Sequence, residues 1–269
     1  MRGIGHGLSY TALAENGKWG ILVAAGPSGG SLFGKMKLMD RVWLLARALM
    51  EKVLILGASG GIGSALVAGF ERRGAEVERL SRSGDGFDVT DAGSVERHLA
   101  GRGPYDRVVV ATGALEIDGA APEKTVKGLD PGAMMDQFAL NAVGPALVLS
   151  HAHRLLDRDA PGVFAVLSAR VGSIGDNRIG GWISYRAAKA AVNQVVRTAS
   201  IELARTHKRA AVVALHPGTV ATSFTEKYLG RHPSVPPAQA AEELIAVMDG
   251  LGPEQTGRFF DYSGAEVPW

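Results

Sequence analysis

The sequence has no cysteine, which excludes disulfides and thiolate metal sites and fits a reducing compartment. It also lacks any apolar run near the roughly 20 residues that a membrane-spanning helix needs. The stretch "WGILVAAG" (19–26) is preceded by Glu15 and Lys18 and lacks the basic-then-apolar layout of a secretion leader. "VWLLARALM" (42–50) is interrupted by Arg47 and reads as a short amphipathic helix. Excess charge of one sign is missing too. Lys and Arg number 29 against 27 Asp and Glu, interspersed, for a net charge of +2, so no nucleic-acid or membrane-surface partner is implied. Internal repeats and low-complexity tracts are absent. A cytoplasmic protein is expected.

What remains is ordinary globular material, with 46% hydrophobic and 21% charged residues in a chain of 269. Residues 1–49 form a Gly-rich leader, expected to be irregular apart from a helix at about 37–49 and to lie outside the core fold. Two origins compete for it: an accessory segment, or translation from an upstream start with Met50 or Met39 the natural beginning, which is preferred. Its "GGSLFGKM" (29–36) satisfies half of a phosphate-binding loop. Met36 stands where a Ser or Thr should hold Mg²⁺, so a nucleoside triphosphate site is not expected.

From Lys52 onward, short apolar runs alternate with helical patterns: "KVLIL", "SALVAGFERRG", "AEVERLS", "RVVVATG", then longer amphipathic stretches, "GVFAVLS", "AAVVALHPG" and "PAQAAEELIAVMDGL". Continuous β-branched runs between helices predict βαβ units, hence a doubly wound parallel sheet with helices on both faces, as a single domain over 50–269. Right-handed crossovers leave few other arrangements.

The first strand runs into "GASGGIG" (57–63). Gly57, Gly61 and Gly63, with Ser59 and Ile62 in the same turn, allow a sharp reversal that sets a helix N-terminus against a pyrophosphate. The second strand ends in Ser81 and Arg82, a hydroxyl and a guanidinium suited to a 2′-phosphate, so NADP is expected over NAD. "FDVTD" offers Asp88 to an adenine amino group and Val89 to its face, and "VVVATGA" brings Ala111 and Gly113 to a third strand end. Further on, Tyr185 and Lys189 stand one helical turn apart, on one face. Free tyrosine, pKa about 10, is a poor acid near neutrality, and an adjacent ammonium can depress that pKa by roughly 1 to 3 units. His216 reads as a core residue. His151 and His153, two apart on a helix, face different ways and make no metal site.

Taken together, "GASGGIG", "FDVTD", "ATGA", "FALNAVGP", "YRAAK" and "HPGTVAT", in this order over about 52–269, resemble the short-chain dehydrogenase/reductase family. "ARVGSI", "GGWISYRAAKAAVN" and "GRFFDYSGAEVPW" further resemble the branch of sniffer-type carbonyl reductases and C-factor signalling proteins. The resemblance implies a Rossmann-type fold and hydride transfer between a nicotinamide and a carbonyl or alcohol carbon of a small molecule, with Tyr185 handling the proton. It implies that Lys189 also binds the nicotinamide ribose and that Asn141 holds a water in a proton relay. Pro217, Gly218, Val220 and Thr222 would meet the nicotinamide. It also implies a homodimer or homotetramer, built on the helices beginning near Ala133 and Tyr185.

Two departures stand out. The family's Asn-Asn-Ala-Gly is here Ala111-Thr112-Gly113-Ala114, and the position of its substrate-binding serine is Ala169. Ser173 is the preferred substitute. Ser168 is one residue too early on its strand, so alternation aims it at the opposite face. The third option is that no serine serves. "SFTEKYLGRHPSVPP" (223–237) has the composition of a lid, with Phe224 and Tyr228 facing an apolar substrate. The leading expectation is an NADP-dependent carbonyl reductase or alcohol dehydrogenase. The alternative, motivated by Ala169, is a nucleotide-binding signalling or scaffold protein with little turnover.

Overall fold

The computed structural model describes residues 2–5, 8–15, 18–25, 50–222, 225, 227 and 233–269. The chain divides into two compact units, residues 1–49 and 50–269. In the first, β1 (Arg2–Gly5), β2 (Leu8–Glu15) and β3 (Lys18–Ala25) form an antiparallel meander, with Leu8 opposite Ala25 and Glu15 opposite Lys18. The irregular chain expected for this stretch is thus corrected. Asn16-Gly17, between β2 and β3, is the pair that most favours two-residue hairpin reversals, and the flanking runs carry β-formers. The helix expected at about 37–49 and the "GGSLFGKM" segment lie outside the described residues.

The second unit is a six-stranded, wholly parallel sheet. Its strands are β4 (Lys52–Leu56), β5 (Glu76–Leu80), β6 (Arg107–Val110), β7 (Gly162–Leu167), β8 (Ala210–His216) and β9 (Phe259–Asp261). They lie in the order β5-β4-β6-β7-β8-β9. Helices α1 (Gly61–Arg72), α2 (Arg82–Asp85) and α3 (Ala92–Leu99) come between the early strands. α4 (Pro131–Phe138), α5 (Gly144–Leu149) and α6 (Ala152–Leu155) precede β7. α7 (Ile183–Leu203) and α8 (Pro237–Asp249) follow it.

Alternation along the buried strands sends side chains to two cores. Val53, Ile55 and Val109 pack with Leu66 and Phe70 of α1 and Leu244 and Ile245 of α8. Leu54, Leu56 and Val110 pack on the other face with Leu99, Val148, Leu155, Val192 and Val196. Both faces being covered explains why the strands read as continuous apolar runs. Each fully buried Leu, Ile or Phe contributes about 1.5–3 kcal/mol, so these two layers carry the unit's stability. The strand order reverses at β4, whose neighbours are β5 on one side and β6 on the other. In open α/β sheets, the carboxyl ends of the strands at such a switch point form the ligand crevice.

Candidate active site

The turn after β4 is built around backbone that tolerates no side chain. Gly57 has φ +88, and a Cβ there would come within 2.8 Å of the Ala111 carbonyl at the end of β6. A Cβ on Gly63 would overlap the Gly57 carbonyl oxygen, and one on Gly61 would lie 2.5 Å from the Thr222 methyl. The glycines therefore bring together the start of α1, the end of β6 and the segment after β8. Ser59 is exposed on the turn, whereas Ile62 is half-buried and packs into the α1/α8 core. The Leu80 carbonyl accepts the Gly57 and Ala58 N–H groups (2.8 and 3.2 Å), which ties the turn to the end of β5.

Ser81 is buried there and Arg82 is exposed beside it. Asp88 accepts from the hydroxyl and the N–H of Thr90 (2.7 and 2.8 Å). Those bonds, and the Arg82 charge after them, lower its pKa. Val89 is only 4% exposed and packs against Gly144.

Across the crevice lies the tyrosine helix. α7 carries Tyr185 and Lys189, both buried, with the Lys189 ammonium 5.7 Å from the Tyr185 ring centre. Lys189 Nζ donates to the Leu167 carbonyl (3.1 Å) at the end of β7. Burial lowers the Lys189 pKa to about 8 and pushes the Tyr185 phenol well above its ordinary value. The depression of the tyrosine expected from its neighbour is not what the geometry gives. Desolvation dominates, and it holds the phenol in its protonated form.

Asn141 sits in a π-helical turn (Ala139–Val143) between α4 and α5, fully buried. Such turns re-aim a side chain within a helix and recur at functional sites. Its Nδ2 donates to the Ala114 carbonyl and to Gln137 Oε1 (2.9 and 2.8 Å), and Gln137 in turn donates to the Leu115 carbonyl. This fixes the amide's orientation and leaves Asn141 Oδ1 buried without a partner among the described residues. A Cβ on Gly113 would lie 2.7 Å from that oxygen and 3.4 Å from Lys189 Nζ, so both atoms border the space this glycine leaves.

The serines are engaged elsewhere. Ser168 donates to Asn193 Oδ1 of α7 (2.6 Å). Ser173, 1% exposed, donates to the Pro268 carbonyl and accepts from the Asp176 N–H (3.1 Å). Ala169 leads into a single 3-10 turn, Arg170–Gly172, whose Gly172 packs on the Lys189 backbone.

Of the residues after β8, Pro217 is half-buried and Gly218 has φ +78 and sits against Tyr262. Val220 is 2% exposed and its carbonyl accepts from Thr225, while Thr222 lies against Gly61. His216 is kept neutral by burial, its pKa falling to about 4. Phe224 and Tyr228 lie outside the described residues.

One feature escaped sequence reasoning. Trp182, in the left-handed region at φ 52, precedes α7 and supplies no side-chain cap. The cap comes instead from Glu123, 61 residues before Ser184. Its carboxylate accepts the Ser184 hydroxyl and the Ser184 N–H (3.3 Å), and its carbonyl accepts the Trp182 N–H (2.6 Å). Glu123, Gln137, Ser184 and Tyr185 line one small cavity with Ile117 and Pro122. The missing cap before "ISYRAAK" was the only sequence signal.

Glycine cradle, strand ends and tyrosine helix thus converge on one crevice, and the comparisons with known proteins agree on what that defines. Residues 86–231 match the short chain dehydrogenase family model. The 1-hydroxy-2-glutathionyl-2-methyl-3-butene dehydrogenase of Rhodococcus sp. strain AD45 is 34% identical over 236 residues, covering 82% of this chain and 100% of that protein. The chain belongs to the short-chain dehydrogenase/reductase family. The C-signal protein of Myxococcus xanthus is 38% identical over 141 residues, 52% of this chain and 81% of that one. A short-chain dehydrogenase/reductase from Burkholderia multivorans, solved with bound NADP, superposes with a TM-score of 0.66 at 25% identity, covering 82% of this chain and 100% of that one.

Proposed function

We propose that the protein is an NADP-dependent oxidoreductase that moves a hydride between the nicotinamide and a carbonyl or alcohol carbon of a small organic substrate. The observation that carries this reading is that Lys189 Nζ and Asn141 Oδ1 both border Gly113, with the Tyr185 ring centre 5.7 Å from the same ammonium. The residues present suit a dinucleotide. The turn is stripped of Cβ atoms where backbone must come close, and a buried amide oxygen and a buried ammonium face the same gap. Gly57, Ser59, Gly61, Ile62 and Gly63 would seat the pyrophosphate. Ser81 and Arg82 would take the 2′-phosphate, Asp88 the adenine, and Ala111 and Gly113 the adjoining strand end. Pro217, Gly218, Val220 and Thr222 would take the nicotinamide end. NADP is favoured by Arg82 and by the NADP bound to the Burkholderia relative.

When bound, the nicotinamide supplies or accepts the hydride. In the reducing direction Tyr185, held neutral by burial, gives its phenolic proton to the carbonyl oxygen and takes it back in oxidation. Lys189, with a pKa of about 8, is cationic at neutral pH and stabilises the phenolate left behind. Asn141 Oδ1, which borders the same space at Gly113 as Lys189 Nζ, would hold a water in a proton relay to Lys189. Of the two serines near Ala169, Ser168 is bonded to Asn193 and Ser173 to Pro268, so Ser173 would serve the substrate oxygen only by leaving that partner. Exposed Met135, Val143 and Ile201 on α4, the π-helical turn and α7 support assembly as a homodimer or homotetramer.

The test is NADPH and NADH oxidation against a panel of aldehydes and ketones, with alcohols in the reverse direction. Turnover with NADPH at roughly 1 s⁻¹ or faster is expected. Dinucleotide binding without turnover on any substrate would favour the second reading, a C-signal-like signalling protein. Ala169 and the similarity to C-signal are what recommend it.

A further inference from the structure

The end of β5 holds an acid where the NADP reading needs none. Asp85, at the end of α2, folds back on the strand end: its Oδ2 accepts the Ser81 N–H (2.9 Å) and the Ser81 hydroxyl (3.2 Å). The Ser81 Oγ also accepts the Gly84 N–H (3.0 Å), and both Ser81 donors are already used within this loop. Asp85 itself is held in place, its N–H donating to the Ser81 carbonyl (3.0 Å) and its own carbonyl meeting His98 Nε2 (3.0 Å). Ser81 follows directly on Leu80, whose carbonyl anchors the glycine turn through Gly57 and Ala58. This loop is therefore fixed beside the dinucleotide crevice, and Asp85 is exposed at its rim.

We propose that Asp85 is a specificity-determining residue, an internal carboxylate that competes with the 2′-phosphate of NADP for the two Ser81 donors. The proposal rests on the NADP reading above and deepens it. A phosphate can use the Ser81 N–H and hydroxyl only if Asp85 lets go of them. If the carboxylate stays, it stands as a like charge beside the incoming dianion. Arg82 provides the opposing attraction, its charge reaching as far as Asp88. A dinucleotide with a free 2′-hydroxyl meets no such conflict, because a carboxylate is a good acceptor for ribose hydroxyls. The protein thus takes both cofactors, with its preference for NADP held down by one side chain.

The experiment measures dissociation constants of NADPH and NADH, and of the fragments 2′,5′-ADP and 5′-AMP. It uses fluorescence quenching and calorimetry on the full chain and on Asp85→Asn, Asp85→Ala and Arg82→Ala. Asp85→Asn keeps an acceptor oxygen for Ser81, so the loop survives even if Asp85→Ala loosens it; thermal melts of each variant report this. Removing the charge should tighten NADPH and 2′,5′-ADP by about five- to tenfold, the size of one screened surface charge, and leave NADH and 5′-AMP within about twofold. Arg82→Ala should weaken the phosphorylated pair alone. An NADPH-to-NADH ratio unmoved by either Asp85 variant, in a protein that binds both dinucleotides, overturns this inference and leaves the proposed function standing. Wild-type protein that binds neither overturns both.

Discussion

At the carboxyl ends of the parallel strands, the chain buries polar groups with little ionic support. Lys189 is 4% exposed and bonded to a carbonyl, Asn141 Oδ1 and His216 Nδ1 lack partners among the described residues, and Tyr185 is held far from ionisation. At the amino ends of the same sheet, ion pairs gather around Arg107, whose Nη1 is itself buried without a partner among the described residues, as is the Tyr105 hydroxyl. Arg107 at the start of β6 meets Glu51 and Asp249 (the latter at 2.9 Å), lies over the Phe70 ring at 5.9 Å, and shares Asp249 with Arg73 at 2.7 Å. Buried polar groups without partners cost stability, and removing one member of a packed ion-pair cluster leaves its partners uncompensated. One end of the sheet is therefore organised for chemistry and the other for holding the strands together. Substitutions at the two ends should carry opposite signatures.

The largest effect is expected from Tyr185→Phe. Losing the phenolic proton should lower turnover by about 10²–10⁴-fold, the range of a general acid. The melting temperature should stay within a few degrees of wild type, since the buried ring and its packing are kept. Steady-state kinetics and a thermal melt read the two halves. A variant that keeps wild-type turnover would take Tyr185 out of the chemistry. One that loses stability in step with activity would erase the contrast between the two ends.

How far this contrast could be read beforehand differs from element to element. The strands were legible because each, covered on both faces, is a continuous apolar run, and Gly57 and Gly63 because their turn leaves no room for a Cβ. Tyr185 and Lys189 were legible as helix neighbours, but the direction of their pKa shifts was not. Spacing along a helix gives proximity, while burial, set by the whole fold, decides which charge survives. Ser173 looked available because its partner is Pro268, 95 residues away. Glu123 was invisible for the same reason, since contacts closed by the tertiary fold leave no local pattern. The β1–β3 meander is the opposite case: its Asn-Gly signal was present and the glycine content obscured it.

Glu123 gives an intermediate effect. It touches the first turn of α7 immediately before Tyr185 and ties the segment after β6 to that helix, so it is a positioning residue. Glu123→Ala should lower kcat by about tenfold with a smaller change in KM, because a lost cap of about 1 kcal/mol loosens the turn that aims the phenol. Glu123→Gln retains an acceptor oxygen and should recover most of the loss. An alanine variant that alters KM alone, or a glutamine variant no better than alanine, would show that the cap does not aim Tyr185.

On activity, the smallest effect is expected from Arg107→Ala, and this is what makes it the sharpest test of the comparison. The substitution removes two ion pairs and the guanidinium over Phe70 from a side chain only 14% exposed; Asp249 keeps its pair with Arg73, while Glu51 loses the Arg107 pair. The cost should be about 1–3 kcal/mol of unfolding free energy, a drop of several degrees in melting temperature for a unit of this size. Turnover per folded molecule should stay within about twofold, because β6 is pinned at its other end by its neighbours β4 and β7 and by the Ala111 N–H on the Leu56 carbonyl (2.7 Å). If kcat falls together with stability, strain at the amino end is reaching Gly113 through a single strand of four residues. The sheet would then transmit what the two-ended description says it insulates.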